Sequence, residues 1–364
     1  MSEPLKELYN SKYIQTLSDT ISSYFHSFDT KNFTQTIFNN NWQNLELKQR
    51  MRHISTTLGQ YLTQDYIKDI DILKLVYKDM QDPKLYLENM IFQDFVEVYG
   101  LNQAYIDISL DALKTFTIES SSEFAIRRFI IKYPTKTITK MKKWSKDPNE
   151  HIRRLASEGC RPRLPWAIAL EKYKNDPSEI LPILETLQDD KSKYVQKSVA
   201  NSLNDISKDN PNITINIVKQ WINQNEQKNR LLKHACRTLL KSGNQEVLKL
   251  FGYGQRDDIT VSNFKIDKSI KIGETLEFGF ELKSSKILEN TRVEYAIYYL
   301  KKNNNYSKKN FQIASKSYKC KYKKFKKSHS FKKISTRKYY IGKQYISIIV
   351  NGEEKLKVDF ELLL

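Results

Sequence analysis

Two stretches of this chain hold residue types that could do chemistry. Residues 151–166, His-Ile-Arg-Arg-Leu-Ala-Ser-Glu-Gly-Cys-Arg-Pro-Arg-Leu-Pro-Trp, gather four arginines (Arg153, Arg154, Arg161, Arg163), one carboxylate (Glu158) and one tryptophan (Trp166). Arginine forks grip phosphates in fixed geometry, and an indole face stacks on a base or attracts a cationic one. A carboxylate in that company needs a reason, because it repels the phosphates the arginines attract. Residues 117–130 place a second carboxylate, Glu123, directly after Ser120, Ser121 and Ser122. Two carboxylates and an aromatic platform in a basic cleft point to cleavage of a bond whose transition state is positively charged. An N-glycosidic bond to an alkylated base is such a bond. The base is already cationic and leaves readily, so a carboxylate need only stabilise oxocarbenium character at the sugar and orient water. Both stretches also have a purely structural explanation. Glu158 would then pair with Arg154 or Arg161 at a charged helix end, with Trp166 filling the next core layer. Glu123 would lie in the first turn of a helix capped by Ser121 or Ser122, where the dipole favours negative charge.

The elements that must position these groups are helical. Ile152, Leu155 and Ala156 fall at i, i+3 and i+4, and Gly159, Pro162 and Pro165 end that helix and re-aim the chain. Roughly the first 250 residues read as helix after helix at 3.6-residue spacing. They also repeat. Val195–Leu203 superposes on Leu231–Leu239 at an offset of 36, and Ile152–Glu158 on Val195–Asn201 at 43. Such periods suit helix pairs stacked into a curved solenoid with a concave face. A helix at 122–132 lies about one repeat before 150–159, which turns Glu123 and Glu158 into the same face near Trp166. The superposition also forms a column of Arg154, Lys197 and Lys233 and another of Glu158, Asn201 and Arg237. These columns either track a duplex backbone or are ordinary solvent-facing positions.

Beyond residue 256 the pattern changes to alternating and aromatic-rich strands, at Val261–Ile266, Glu277–Leu282, Val293–Leu300 and Tyr345–Val350. Asn351-Gly352 makes a hairpin turn into Lys355–Leu362, so a small antiparallel sandwich is expected. Gly243, Gly252 and Gly254 mark the junction, giving domains at 1–254 and 255–364. Residues 257–364 hold 24 Lys and Arg against 12 Asp and Glu, a net of +12. The first 256 hold 37 against 30, a net of +7. Lys316–Lys338 alone has 11 basic residues and no acid, with Tyr318, Tyr322, Phe325 and Phe331 interleaved. This run either supplies phosphate attraction or protects a sheet edge from aggregation.

The net charge of +19 favours nucleic acid or an anionic membrane surface as partner. No run of eighteen or more apolar residues occurs, and the N-terminus lacks a signal-peptide pattern, so a cytoplasmic, unprocessed protein is expected. Cys160, Cys236 and Cys320 are far apart and odd in number, fitting a reducing compartment. Neither the cysteines nor His26, His53, His151, His234 and His329 show metal-ligand spacing, and there is no phosphate-binding glycine loop. No metal or nucleotide cofactor is expected.

The chain resembles the AlkC branch of the AlkC/AlkD family of HEAT-like-repeat DNA glycosylases, bacterial enzymes of alkylation repair. The resemblance rests on Ser122–Arg127, Arg154–Trp166, Ser198–Pro211 and His234–Gly243, and extends through Lys327–Phe331, Thr336–Tyr339 and Val350–Gly352. It covers about residues 100 to 364 and leaves 1–95 without a motif. It implies a mainly α fold, a HEAT-like helical-repeat solenoid followed by a small all-β immunoglobulin-like domain that helps engage DNA. It further implies a monofunctional glycosylase that hydrolyses the N-glycosidic bond of 3-methyladenine, and of 3-methylcytosine and 1-methyladenine, in duplex DNA without full extrusion of the base. The catalytic acids map onto Glu123 and Glu158, with Arg161 and Trp166 shaping the lesion-side cleft. The DNA contacts expected from these motifs and columns are Arg127, Arg154, Arg163, Lys197, Asn201, Lys233, His234, Arg237, Lys327, His329, Arg337 and Lys338. The partner is double-stranded DNA containing alkylated bases, engaged by a monomer with no obligate protein partner. Repeats and charge alone equally fit a non-catalytic DNA-binding scaffold, and the basic run alone a membrane-surface adaptor.

Overall fold

A computed structural model describes residues 4–364. Its contacts divide the chain into two compact units between Asn210 and Pro211. The first is helical throughout, from Ser11–Tyr24 to Lys193–Asp209, and sequence neighbours pack as pairs. The helix Glu150–Glu158 starts where the Asn149 side chain accepts the His151 N–H at 2.8 Å. It lies against Lys193–Asp209 through buried serines, with Ser157 and Ser198 hydroxyls 2.7 Å apart. Arg153 locks this layer: its guanidinium forks onto Asp190 (2.6 and 3.0 Å) and donates to the carbonyls of Asp147 and Pro148.

The second unit opens with four helices, Pro211–Trp221, Glu226–Ala235, Arg237–Ser242 and Gln245–Leu250, and continues as eight strands. Strands β1 (Ile259–Ile266), β3 (Thr275–Ser284) and β6 (Tyr322–Ser330) form one sheet. Strands β2 (Ser269–Lys271), β8 (Glu353–Leu363), β7 (Gly342–Val350), β4 (Thr291–Leu300) and β5 (Tyr306–Lys316) form the other, in that order. The expected hairpin turn is present, with Asn351 and Gly352 both at positive φ (48° and 80°). A Cβ at Gly352 would also stand 2.3 Å from Leu248, so the helix Gln245–Leu250 needs glycine there. The Asn351 side chain ties the turn to the linker by donating to the Gly254 carbonyl at 2.8 Å.

Strands β5 and β6 are edge strands and were not foreseen, β6 because Lys316–Lys338 reads as a charge run and β5 because Tyr306–Lys316 shows no clear apolar alternation. Tyr318, Phe325 and Phe331 face inward, Phe325 stacking on Phe280 at 5.2 Å, while the lysines of β6 point out. The run therefore does guard an edge.

His329, expected to contact DNA, is instead in the core. It is 8% exposed and bonded on its two ring nitrogens to the Tyr295 and Tyr299 hydroxyls, at 2.9 and 2.8 Å. Burial, then the charges of Arg337 and Lys309, push its pKa down to about 4. The folded domain thus keeps His329 neutral where the unfolded chain, titrating near 6.5, takes up a proton. Its contribution is complete above pH ~6.5 and lost as pH falls toward ~4, a difference of about 3 kcal/mol. Urea unfolding across that window should show a pH slope that His329→Gln flattens. An unchanged slope would assign the acid sensitivity to other groups.

Candidate active site

The two expected acids meet at one guanidinium. Arg154 and Glu158 lie one turn apart on the helix Glu150–Glu158. Arg154 Nη2 is 3.6 Å from Glu158 Oε1, and its Nη1 contacts Glu123 Oε2. Ser121 completes the contact: its hydroxyl donates to Glu123 Oε2 at 2.8 Å and accepts from Arg154 Nη1 at 2.8 Å. It also accepts the Glu123 N–H at 3.3 Å, a local turn bond and not the expected helix cap, since the regular helix begins only at Ile126 without a side-chain cap and with Glu123 outside its first turn. Arg154 lies 5.1 Å from the centroid of the Tyr194 ring. Burial alone would lower the Arg154 pKa, but Glu123 and then Glu158 outweigh it and hold the guanidinium above its ordinary value.

Glu158 is 5% exposed and also takes Arg161 Nη1 on Oε1 at 2.6 Å. Arg161 in turn is braced by Asp205 Oδ2, 2.8 Å from its Nε, on the helix Lys193–Asp209. Glu158 therefore pairs with Arg154 and Arg161 together. The hydrogen bonds and ion pairs to Glu123 fall on Oε2 and those to Glu158 on Oε1.

Trp166 does not fill a core layer. It is 70% exposed and has φ +62°, whereas Trp42, Trp144 and Trp221 are buried. An indole held out to solvent on left-handed backbone is what a ligand platform needs. Arg127 corrects the DNA-contact set. It is fully buried, and its guanidinium donates to the carbonyls of Ile168 (2.7 Å), Gly159 (3.0 Å) and Arg161 (2.7 Å). Burial pushes its pKa down to about 10. It fastens the turn that carries Arg161, Arg163 and Trp166 from within.

Of the remaining expected contacts in the first unit, Arg163 forks onto Asp209 at 2.8 and 2.6 Å, Lys197 is exposed and Asn201 half-buried. In the second unit, Lys233 donates to the Tyr253 hydroxyl at 2.6 Å, Arg237 to the His234 carbonyl at 2.8 Å, and His234 itself is exposed. Lys327 and Lys338 are exposed, while the Arg337 guanidinium carbon lies 3.6 Å from the centroid of the Tyr299 ring. Burial pushes the Cys160 and Cys236 thiols up to about 12, which makes them inert. Among the described residues no helix is long and apolar enough to cross a membrane.

Sequence reasoning missed Lys48. Its ammonium donates to the Trp166 carbonyl at 2.7 Å and sits 4.2 Å from the centroid of Phe124, the neighbour of Glu123. Lys48 and Phe124, with Arg52, Asp94, Glu97 and Ile168, line a cavity of about 520 Å³. Nothing in the sequence around Lys48 marks it, since its partners are 76 and 118 residues away.

Residues 103–239 match the family described as DNA alkylation repair enzyme. Residues 260–364 match the C-terminal Ig-like domain of the uncharacterised protein YhaZ. Over 360 residues the chain is 41% identical to the uncharacterized protein YhaZ of Bacillus subtilis (strain 168), covering 98% of this chain and 99% of that one. A solved structure of the Pseudomonas fluorescens alkylpurine DNA glycosylase AlkC, bound to DNA containing an abasic site analog, superposes with a TM-score of 0.92 at 32% identity. The match covers 100% of both chains.

Proposed function

The chain belongs to the AlkC branch of the DNA alkylation repair enzymes, and from that membership we propose that it is a monofunctional glycosylase. It hydrolyses the N-glycosidic bond of cationic N-alkylated bases in duplex DNA, 3-methyladenine first and also 3-methylcytosine and 1-methyladenine, leaving an abasic site. The observation that supports this is the pair Glu123 and Glu158, each with one oxygen on Arg154.

That arrangement suits the chemistry. Arg154 and Arg161 keep two nearly buried carboxylates close together without the cost of unpaired charge. Glu123 Oε1 and Glu158 Oε2 remain to face the sugar and a water. As the C1′–N bond breaks, its electron pair goes to the base, which leaves neutral. The carboxylates stabilise the oxocarbenium character at C1′, water oxygen bonds to C1′, and a carboxylate takes the water proton. The exposed Trp166 indole attracts the base while it is cationic. The attraction weakens once the charge is lost, which favours release of the base.

The test is incubation of the purified protein, without metal or cofactor, with methylated duplex DNA, and mass analysis of the freed bases. Release of 3-methyladenine from strands that stay intact until treated with alkali is the expected result. Binding without release would make this a non-catalytic scaffold and the carboxylates structural.

A further inference from the structure

We propose that Lys48 is a positioning residue that fixes the exposed Trp166 indole against the Glu123 segment. The inference rests on the glycosylase reading for its rate consequence and on geometry for everything else. It also gives a role to residues 1–95, which carry no recognisable motif.

Lys48 lies in the first turn of the helix Leu47–Tyr61 and is exposed. One ammonium reaches two segments that are about 40 residues apart in sequence. It donates to the Trp166 carbonyl at 2.7 Å and covers the Phe124 ring at 4.2 Å. Trp166 needs such a tether. Its φ of +62° is unfavourable for a residue with a side chain, and its indole is 70% exposed, so packing does little to hold the ring. Arg127 secures the carbonyls of Gly159, Arg161 and Ile168 on either side, and Lys48 secures the one between them. Burial lowers the Lys48 pKa although Glu97 and Asp94 oppose it, consistent with an ammonium drawn into this corner and only partly hydrated.

Lys48→Met keeps the apolar stem and removes the donor and charge. At saturating protein, single-turnover base release should fall roughly tenfold or more, since small misplacement of a substrate-contacting group costs factors of that size. Duplex affinity should be retained, and Lys48→Arg, which restores a cation and donor, should recover most of the rate. The second measurement needs no activity. Trp166 is the one exposed tryptophan among the described residues, so the difference between the wild type and Trp166→Phe isolates its fluorescence. Its anisotropy should decay faster in Lys48→Met and return in Lys48→Arg. Unchanged anisotropy would overturn the proposal. So would a loss confined to affinity, with the salt slope reduced by about one, which would make Lys48 a phosphate contact. If the wild type releases no base, the glycosylase reading fails, and the anisotropy alone decides whether Lys48 holds the indole.

Discussion

Glu123→Gln and Glu158→Gln should each bind alkylated duplex as the wild type does and release base about 100- to 1000-fold more slowly, the scale on which single groups that stabilise transition-state charge are felt. Both substitutions preserve shape, and the surrounding network can absorb them. In Glu158→Gln the amide oxygen still accepts from Arg161, whose Nε keeps Asp205 at 2.8 Å. In Glu123→Gln the Ser121 hydroxyl still has an acceptor. The loss in stability should be about 1–2 kcal/mol, because charge-assisted hydrogen bonds become neutral ones. Single-turnover rates at saturating protein, beside thermal melts of the same samples, separate the two effects. Full activity in Glu158→Gln would remove that residue from the chemistry and leave its bonds to Arg154 and Arg161 as a structural knot.

Glu158 stood out as a candidate because an acid inside an arginine-rich segment is anomalous by type alone, and Glu123 only because it lies about one helical repeat upstream. Their meeting at Arg154 was not legible. The sequence places Arg154 in a column with Lys197 and Lys233, as if all three faced a phosphate backbone, yet its side chain is 12% exposed and committed to Glu123, Glu158 and Ser121. The same limit applies to Arg127 and His329. Residue type says that a group is polar; whether buried carbonyls or hydroxyls already use that polarity depends on contacts far away in sequence. Secondary structure was legible where one periodicity dominated, as in the helices and in β3, β4 and β7. It failed at β5 and β6, where an edge position turns one face and one flank to solvent and lysines erase the alternation. Lys48 lay beyond reach for the plainest reason, since a single lysine carries no pattern.

Arg127→Met should be the most destabilising single change near the site, at about 3–5 kcal/mol, the range for removing one partner from a buried, hydrogen-bonded charge. Three carbonyls, of Gly159, Arg161 and Ile168, would lose this donor, and for Gly159 and Arg161 the lost bond is a buried one that water cannot readily replace. Methionine fills much of the volume, so the loss reports the hydrogen bonds more than a cavity. Urea unfolding followed by the helical signal measures it. If Arg127 instead bound a phosphate, the variant would keep its stability, and the salt dependence of DNA binding would weaken by about one phosphate contact. The geometry predicts the reverse, with unchanged salt slope and lowered stability. Base release should slow as well, because the turn held by Arg127 carries Arg161 to Glu158 and presents Trp166. A stability loss below about 1 kcal/mol would show that the turn holds itself and that this buried guanidinium is not its anchor.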